Sequence, residues 1–145
     1  MSLSINIKLK LKELLSQYDF IANVLIFGSY ALNKQNDMSD IDIAIQTKKD
    51  IDIFELGEII SNIESTLALK TDLVVLNDLY KKSPLLAYNI YQSHKSVYIN
   101  DNRAYSDFKL NALHYYLDFK PVIEDQNIAF LERVKNGTIA KIKTA

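Results

Sequence analysis

Four residues in the first third of the chain have the types and the spacing of a phosphate and metal site. Gly28 and Ser29 are followed, after ten intervening residues, by Asp40 and Asp42. A glycine that ends a strand and opens a helix lets a phosphate approach the backbone N–H groups without meeting a Cβ, and the Ser29 hydroxyl adds a donor. Aspartates two apart on a strand project from one face, where their like charges favour a cation between them.

The cation that this donor set predicts is Mg²⁺, which takes one or two carboxylates together with substrate phosphates. Asp72, near the start of the next predicted strand, is the candidate third ligand and a candidate general base for an attacking hydroxyl. Three carboxylates on adjacent strands could hold two Mg²⁺ ions, which suits in-line transfer of a phosphorus group with loss of pyrophosphate. The competing interpretation is that these acids lie on a solvated strand face.

Hydrophobic periodicity predicts the elements that must position these residues. Residues 24–27 form a continuous apolar run typical of a strand buried on both faces. Residues 40–45 alternate with period two, with isoleucines on one face and aspartates on the other. The other predicted elements are an amphipathic helix over 3–18, a helix capped by Asp50 or Asp52 and running to about Thr66, a strand over 71–76, a helix from the Ser83-Pro84 pair to Tyr91, a strand over 96–99, a helix capped by Asp101 over 102–118, and another helix from Pro121 to Asn136 with Gly137 as its stop.

Length and composition predict one soluble domain spanning residues 1–145, and the order of the predicted helices and strands indicates a small α/β (α+β) sheet. The sheet region covers about residues 20–100 and a helical tail covers 101–137. A net charge of -1 gives no overall basic field, so direct nucleic-acid binding is not expected. The absence of cysteine excludes thiolate metal sites, and the short apolar stretches predict no membrane span and a cytoplasmic protein.

Two groups of residues resemble a known family. Gly28-Ser29-Tyr30-Ala31 followed by Ser39-Asp40-Ile41-Asp42 is similar to the signature of the DNA polymerase β superfamily of nucleotidyltransferases, and the length resembles its minimal nucleotidyltransferase (MNT) branch. The tail is similar to that of the MntA-type antitoxins, which are paired with HEPN ribonuclease toxins; the residues that carry this likeness are Ser83-Pro84-Leu85-Leu86, Val97-Tyr98-Ile99, Asn102-Arg103, Tyr115 to Pro121 and Phe130-Leu131-Glu132-Arg133.

The resemblance, which covers about residues 20–137, implies a polymerase-β-like nucleotidyltransferase fold, in which a small mixed β-sheet is flanked by helices. It also implies Mg²⁺-dependent transfer of AMP from ATP to a tyrosine hydroxyl of a HEPN toxin, which neutralises the toxin. The residues that it implies are Asp40, Asp42 and Asp72 for catalysis and for two Mg²⁺ ions, and Gly28, Ser29 and Ser39 for nucleotide binding. For Ser39, a hydrogen bond within the loop is an equally good interpretation.

The chain departs from the family pattern directly after the front motif. The family commonly has Arg-Gly there, whereas this chain has Leu32-Asn33. Asparagine tolerates the left-handed conformation, so Asn33 is expected to keep the backbone conformation that glycine has in the family. Leu32 removes a cation that could meet the triphosphate, and Lys34 or Lys70 would have to compensate. Two alternatives therefore stay open: a nucleotidyltransferase for a small hydroxylated acceptor such as an aminoglycoside, and a catalytically weak antitoxin that acts by occlusion.

Other conspicuous residues have structural interpretations. We expect His94 to interact with the C-terminus of a helix, and tyrosines such as Tyr88 to serve in packing. The helices predicted over 102–136 carry more apolar surface than so small a sheet needs. We therefore predict that this tail, including Tyr115 and Phe119, forms a partner or self-association interface, so that the protein is a homo- or hetero-oligomer.

Overall fold

Residues of the central strands are buried on both sides, because helices cover each face of a mixed β-sheet. A computed structural model describes residues 2–36 and 39–136, with side chains over 5–122 of those ranges. The elements in chain order are α1 (Ser2–Leu15), β1 (Ile21–Phe27), α2 (Gly28–Ala31), β2 (Ile41–Thr47), α3 (Ile53–Leu67), β3 (Thr71–Val75), α4 (Leu79–Lys82), α5 (Pro84–Gln92), β4 (His94–Ile99) and α6 (Asn102–Asn136). The described strands form a four-stranded sheet in the order β3-β2-β1-β4.

The strand directions make the sheet mixed, as the family resemblance implied. β1 is antiparallel to both β2 and β4, whereas β2 and β3 run parallel. On one face, the isoleucines of β2 pack with α1 and α3, which confirms the alternation read from the sequence. On the other face, Leu25 and Ala44 pack against α4, α5 and α6. Successive residues of β1 therefore enter two different apolar clusters, and β1 is buried on both faces.

Local signals in the sequence set several helix ends. Asp52 caps α3 through a capping box, in which its carboxylate accepts from the Glu55 N–H at 2.8 Å and the Glu55 carboxylate accepts from the Asp52 N–H at 3.3 Å. Asp101 caps α6, because its Oδ1 accepts from the N–H of Ala104 at 3.0 Å. Ser83 precedes α5 as predicted, but its side chain makes no capping hydrogen bond.

Some predicted boundaries were wrong. The tail is one continuous helix over residues 102–136 with Pro121 inside it, where the sequence predicted two. Proline fixes φ near the helical value, but it removes the hydrogen bond to the carbonyl of Leu117 and its ring crowds that carbonyl. Residues 117–122 are exposed, so water can serve that carbonyl. The predicted stop at Gly137 lies outside the described residues, and none of the helices within them is long and apolar enough to cross a bilayer.

A buried polar network fixes the start of α6 to the sheet. Asn23 of β1 is fully buried, and its amide nitrogen donates to the Gln46 side chain at 2.7 Å and to the Asp101 carbonyl at 2.9 Å. Its amide oxygen accepts from the backbone N–H groups of Asn100 at 2.9 Å and Asp101 at 3.0 Å. Gln46 in turn donates to the Ala104 carbonyl at 3.0 Å. Every polar group of the Asn23 side chain is thereby satisfied, and α6 begins at a defined place above the sheet.

Candidate active site

One row of residues crosses all four strands, at the end of the sheet where β1 finishes. In the strand register, Asp72 of β3 lies opposite Asp42 of β2, Asp42 lies opposite Phe27 of β1, and Phe27 lies opposite His94 of β4. Opposed residues of neighbouring strands project from the same face of a sheet. That face is the one covered by α4, α5 and α6, since Phe27 packs in their cluster. The fold therefore brings two of the predicted carboxylates side by side.

Gly28 follows Phe27 directly and forms the predicted turn into α2. Its φ is +71°, in the left-handed region that favours glycine. A Cβ built on Gly28 would overlap the carboxylate of Asp42 and would lie 3.1 Å from its Cγ. The backbone of this turn therefore lies directly against the Asp42 side chain. Ser29 is half-buried beside it, and its carbonyl accepts from the N–H of Lys34 at 2.9 Å.

The electrostatics of the row show how crowded the carboxylates are. Burial raises the pKa of the Asp42 carboxyl above its ordinary value, and the negative charges of Asp72 and Asp40 raise it further. A hydrogen bond that the protonated Asp42 donates to the Asp72 carboxylate acts in the same direction. The charges of Asp72 and Asp40 thus both act on Asp42, and a cation beside Asp42 would relieve the repulsion.

Asp40 differs from Asp42 and Asp72 in its position relative to the strands. Asp40 lies one residue before β2, because the strand pairing begins at Ile41, whose N–H donates to the Lys70 carbonyl at 2.9 Å. The sequence placed Asp40 on the strand itself, which was wrong. Within residues 2–36 and 39–136, no group of three His, Cys, Asp or Glu side chains is arranged to hold a metal ion. Binding of metal ions by Asp40, Asp42 and Asp72 together stays a prediction.

The carboxylates nevertheless fit a magnesium ion that is shared with a nucleotide. Mg²⁺ is bound by one or two carboxylates together with substrate phosphates, and it seldom has a cage made only of protein groups. Asp42 has carboxylate oxygens held against the glycine turn, where a phosphate can approach the backbone. The neighbouring Asp72 and Asp40 supply the additional negative charge. The donor set thus matches a hard divalent cation in a phosphate-transfer site.

The loop between α2 and β2 explains the role of Ser39. Its hydroxyl oxygen accepts from the N–H of Asn36 at 2.9 Å, and its own N–H donates to the Asn36 carbonyl at 3.1 Å. These two bonds close a turn directly before Asp40. The loop interpretation of Ser39 is thus present in the structure, and a phosphate contact of Ser39 stays a prediction.

At Leu32-Asn33, where the chain departs from the family pattern, the backbone has the expected conformation. Asn33 adopts the left-handed conformation, with φ +55°, as asparagine was predicted to do at this position. Leu32 is 49% exposed and offers an apolar side chain where a cation would be useful. Lys34 and Lys70 are both exposed, and Lys70 adjoins the start of β2 through its carbonyl. Lys34 is the nearest cation along the chain, and compensation by either lysine stays a prediction.

His94 has the structural role that the sequence predicted, and it has a second contact that was missed. Its Nδ1 lies 2.7 Å from the Ile90 carbonyl and 3.1 Å from the Tyr91 carbonyl, at the C-terminus of α5. Its Nε2 lies 2.6 Å from the hydroxyl of Tyr105 on α6. Because His94 belongs to the same row as Asp42, this pair adjoins the candidate site. The sequence carries no signal for it, since the contact depends on the register of β4.

Gly28→Ala is expected to damage both the fold and the site. The left-handed φ costs about 1–2 kcal/mol for a residue with a Cβ, and the new methyl group would displace the Asp42 carboxylate. Gly57→Ala is the matched control, because Gly57 lies inside α3 and no neighbouring side chain or strand comes within 4 Å of the place that its methyl group would take. It should stabilise the protein by about 0.5–1 kcal/mol. Urea unfolding and ATP binding of both variants test this, and equal effects of the two would contradict it.

The fold and the row of acids define a nucleotidyltransferase. Residues 9–103 match the family described as Polymerase beta, Nucleotidyltransferase. The chain belongs to this family, which confirms the fold and the enzyme class predicted from the sequence.

Two relatives from Methanocaldococcus jannaschii have names that assign them to the protein adenylyltransferases. One is 38% identical over 69 residues, covering 48% of this chain and 69% of the relative. The other is 34% identical over 71 residues, covering 49% of this chain and 72% of the relative. The similarity is therefore concentrated in about half of this chain.

Two solved structures share the fold over most of the chain. A chain of a toxin-antitoxin crystal structure with AMP-PNP has a TM-score of 0.69 at 24% identity, covering 81% of this chain and 96% of that one. A chain of the complex between a tri-AMPylated HEPN toxin of Shewanella oneidensis and an MNT antitoxin has a TM-score of 0.65 at 21% identity, covering 84% and 97%. At these identities, the likeness establishes the common fold.

Proposed function

We propose that this chain is an MNT-type antitoxin that transfers AMP from ATP to a tyrosine hydroxyl of a HEPN ribonuclease toxin. The observation that carries the proposal is the pairing of Asp42 with Asp72 beside the Gly28 turn, on a nucleotidyltransferase sheet. The acceptor is supported by the names of the relatives, and by the AMPylated HEPN toxin in one of the similar structures.

In this proposal, each site residue has its own role in a single displacement at the α-phosphorus of ATP. The backbone N–H groups of Gly28 and Ser29 bind phosphate oxygens of ATP. Asp40 and Asp42 would hold Mg²⁺, which would supply neutralisation of the negative charge that develops on the pyrophosphate. Asp72, which is exposed, accepts the proton of the tyrosine hydroxyl at a carboxylate oxygen. The hydroxyl oxygen bonds to the α-phosphorus while the bond to pyrophosphate breaks.

Exposed apolar side chains of α6 form the toxin-docking surface in this proposal. Those that remain about half exposed are Leu110, Leu117, Phe119 and Val122. At 3.6 residues per turn, Leu110 and Leu117 share one side of the helix, and Phe119 continues the side that carries Phe108 and Ala112. Tyr115 differs from them, because its ring packs edge-on against Tyr80 with 4.7 Å between ring centres. A surface of this kind on a helix is typical of a protein interface.

Phe119→Ala is expected to weaken toxin binding about tenfold or more, since buried aromatic residues dominate interface energies. Phe54→Ala is the control, because Phe54 is an 84% exposed phenylalanine near the start of α3, on the opposite face of the sheet. Isothermal titration with a catalytically inactive toxin measures both affinities. Equal affinities for the wild type and the Phe119 variant would remove α6 from the interface.

The test of the function is the intact mass of the HEPN-like product of the neighbouring reading frame, after incubation with this protein and Mg-ATP. An increase by whole AMP units is expected. Co-elution of the two proteins without a mass change would favour the occlusion alternative, which the exposed apolar Leu32 supports. If the proteins neither react nor co-elute, the small-molecule acceptor becomes the better hypothesis.

A further inference from the structure

We propose that the hydroxyl of Tyr105, held by His94, accepts a hydrogen bond from the 6-amino group of adenine and thereby selects ATP over GTP. This inference rests on the proposed nucleotide site. It concerns one residue of α6 and one of β4, neither of which belongs to the glycine and aspartate motif.

The position of the pair follows from the strand register. His94 lies opposite Phe27, and Phe27 lies opposite Asp42, so two strand spacings, on the order of 10 Å, separate His94 from Asp42. In the proposed binding mode, a nucleotide whose α-phosphate lies at Asp42 extends its nucleoside across this face. On one side it meets Asp72, which is negatively charged. On the other it meets the half-buried ring of Phe27, on which a base can stack, and beyond that ring the His94–Tyr105 pair.

The hydrogen bonds fix which partner donates. A carbonyl oxygen can only accept, so His94 Nδ1, which lies near the carbonyls of Ile90 and Tyr91, carries the proton of the neutral ring. His94 Nε2 is then an acceptor, and the Tyr105 hydroxyl donates to it at 2.6 Å. With its proton committed in this way, the Tyr105 oxygen has only lone pairs to offer a ligand.

The phenol ring of Tyr105 is also held in place. The His94 ring meets it edge-on, with 5.7 Å between ring centres and an interplanar angle of 89°. The Lys109 ammonium lies over its face, 4.3 Å from the centre. A fixed acceptor distinguishes purines at their 6-position, because adenine has an amino donor there and guanine has a carbonyl acceptor. When guanine is bound, its carbonyl oxygen and the Tyr105 oxygen are both acceptors, so no hydrogen bond forms between them.

The test is the affinity of the protein for AMP-PNP and for GMP-PNP in the presence of Mg²⁺, measured by isothermal titration. We expect the wild type to prefer AMP-PNP by roughly tenfold. In Tyr105→Phe, which keeps the ring and removes the oxygen, the preference should fall to about twofold or less. Tyr91→Phe is the matched control, since Tyr91 is a partly buried tyrosine of the same cluster, and it should keep the wild-type preference.

A second ligand tests the wild-type protein without any substitution. Purine riboside triphosphate lacks only the 6-amino group of ATP, and the wild type should bind it several-fold more weakly than ATP. Equal affinities for these two ligands, or a preference for AMP-PNP that survives in Tyr105→Phe, would overturn the inference and leave the nucleotidyltransferase assignment intact. If the wild type binds no nucleotide, the proposed function fails, and the inference fails with it.

Discussion

Asp42→Asn is expected to lower the rate of the proposed AMP transfer to the toxin by a factor on the order of 10³ or more, while the protein stays folded. The substitution keeps the shape of the side chain beside the Gly28 turn. It removes the charged oxygen that a magnesium ion shared with ATP requires. The measurement is the rate at which AMP units appear in the intact mass of the toxin.

The effect of Asp42→Asn on stability should have the opposite sign. Because the pKa of Asp42 is raised in the folded state, its stabilising contribution is complete below its ordinary value of 3.8 and is lost as the pH rises through the folded-state value. At neutral pH, the ionised carboxylate of Asp42 lowers the free energy of unfolding, and asparagine has no such charge. In EDTA at pH 7, the free energy of unfolding of the variant should equal or exceed that of the wild type.

Asp78→Asn is the control for this experiment. Asp78 follows β3, at the other end of the sheet, and it has a left-handed backbone that asparagine also tolerates. Its contact with Lys81 is a solvent-exposed pair at 3.9 Å, which contributes little. Full activity is expected from this variant. An Asp42→Asn protein that reacts at the wild-type rate would exclude Asp42 from catalysis.

Asn23→Leu is expected to lower the free energy of unfolding by about 3 kcal/mol or more. Leucine has a similar size, but it leaves the N–H groups of Asn100 and Asp101 and the Gln46 amide without their buried partner. Each unmet buried group costs about 1–3 kcal/mol. Urea unfolding followed by circular dichroism measures the difference.

Asn62→Leu provides the comparison. Asn62 of α3 donates one hydrogen bond to the Tyr18 hydroxyl at 2.6 Å, at a partly buried position. Its loss should cost about 1 kcal/mol. If the two variants are equally stable, the Asn23 network does not hold α6 in place. A selective loss at Asn23 would also be expected to disturb Tyr105, which lies near the start of that helix.

The sequence predicted those parts of the fold in which neighbouring residues carry the signal. The alternation over residues 40–45 determined which face holds Ile41 and which holds Asp42, and the structure has this arrangement. The capping box at Asp52 and the turn at Gly28 are equally local, since each depends on residues within one helical turn. The family resemblance rested on the same local motif, which is why the enzyme class could be predicted.

Other features depend on contacts that periodicity does not encode. β1 begins at Ile21, earlier than predicted, because buried Asn23 interrupts the apolar run and finds its partners 77 and 78 residues further along the chain. The strand order places β4 beside β1, and only this order brings His94 into the row of Asp42. The sequence predicted a helix break at Pro121. The helix continues because Pro121 is exposed to solvent, which makes the lost hydrogen bond tolerable, and this exposure is a property of the fold.

The row that crosses the sheet also has a consequence for synthesis on the ribosome, which releases the N-terminal strands first. β1 pairs with β2 early, but its other edge has no partner until β4 has emerged. Unpaired strand edges recruit other chains, so a nascent chain that ends before residue 94 is prone to aggregation. If ATP binds as proposed, its base contacts Tyr105 only after residues 94–105 have been made, so ATP stabilises the folded chain less before that point.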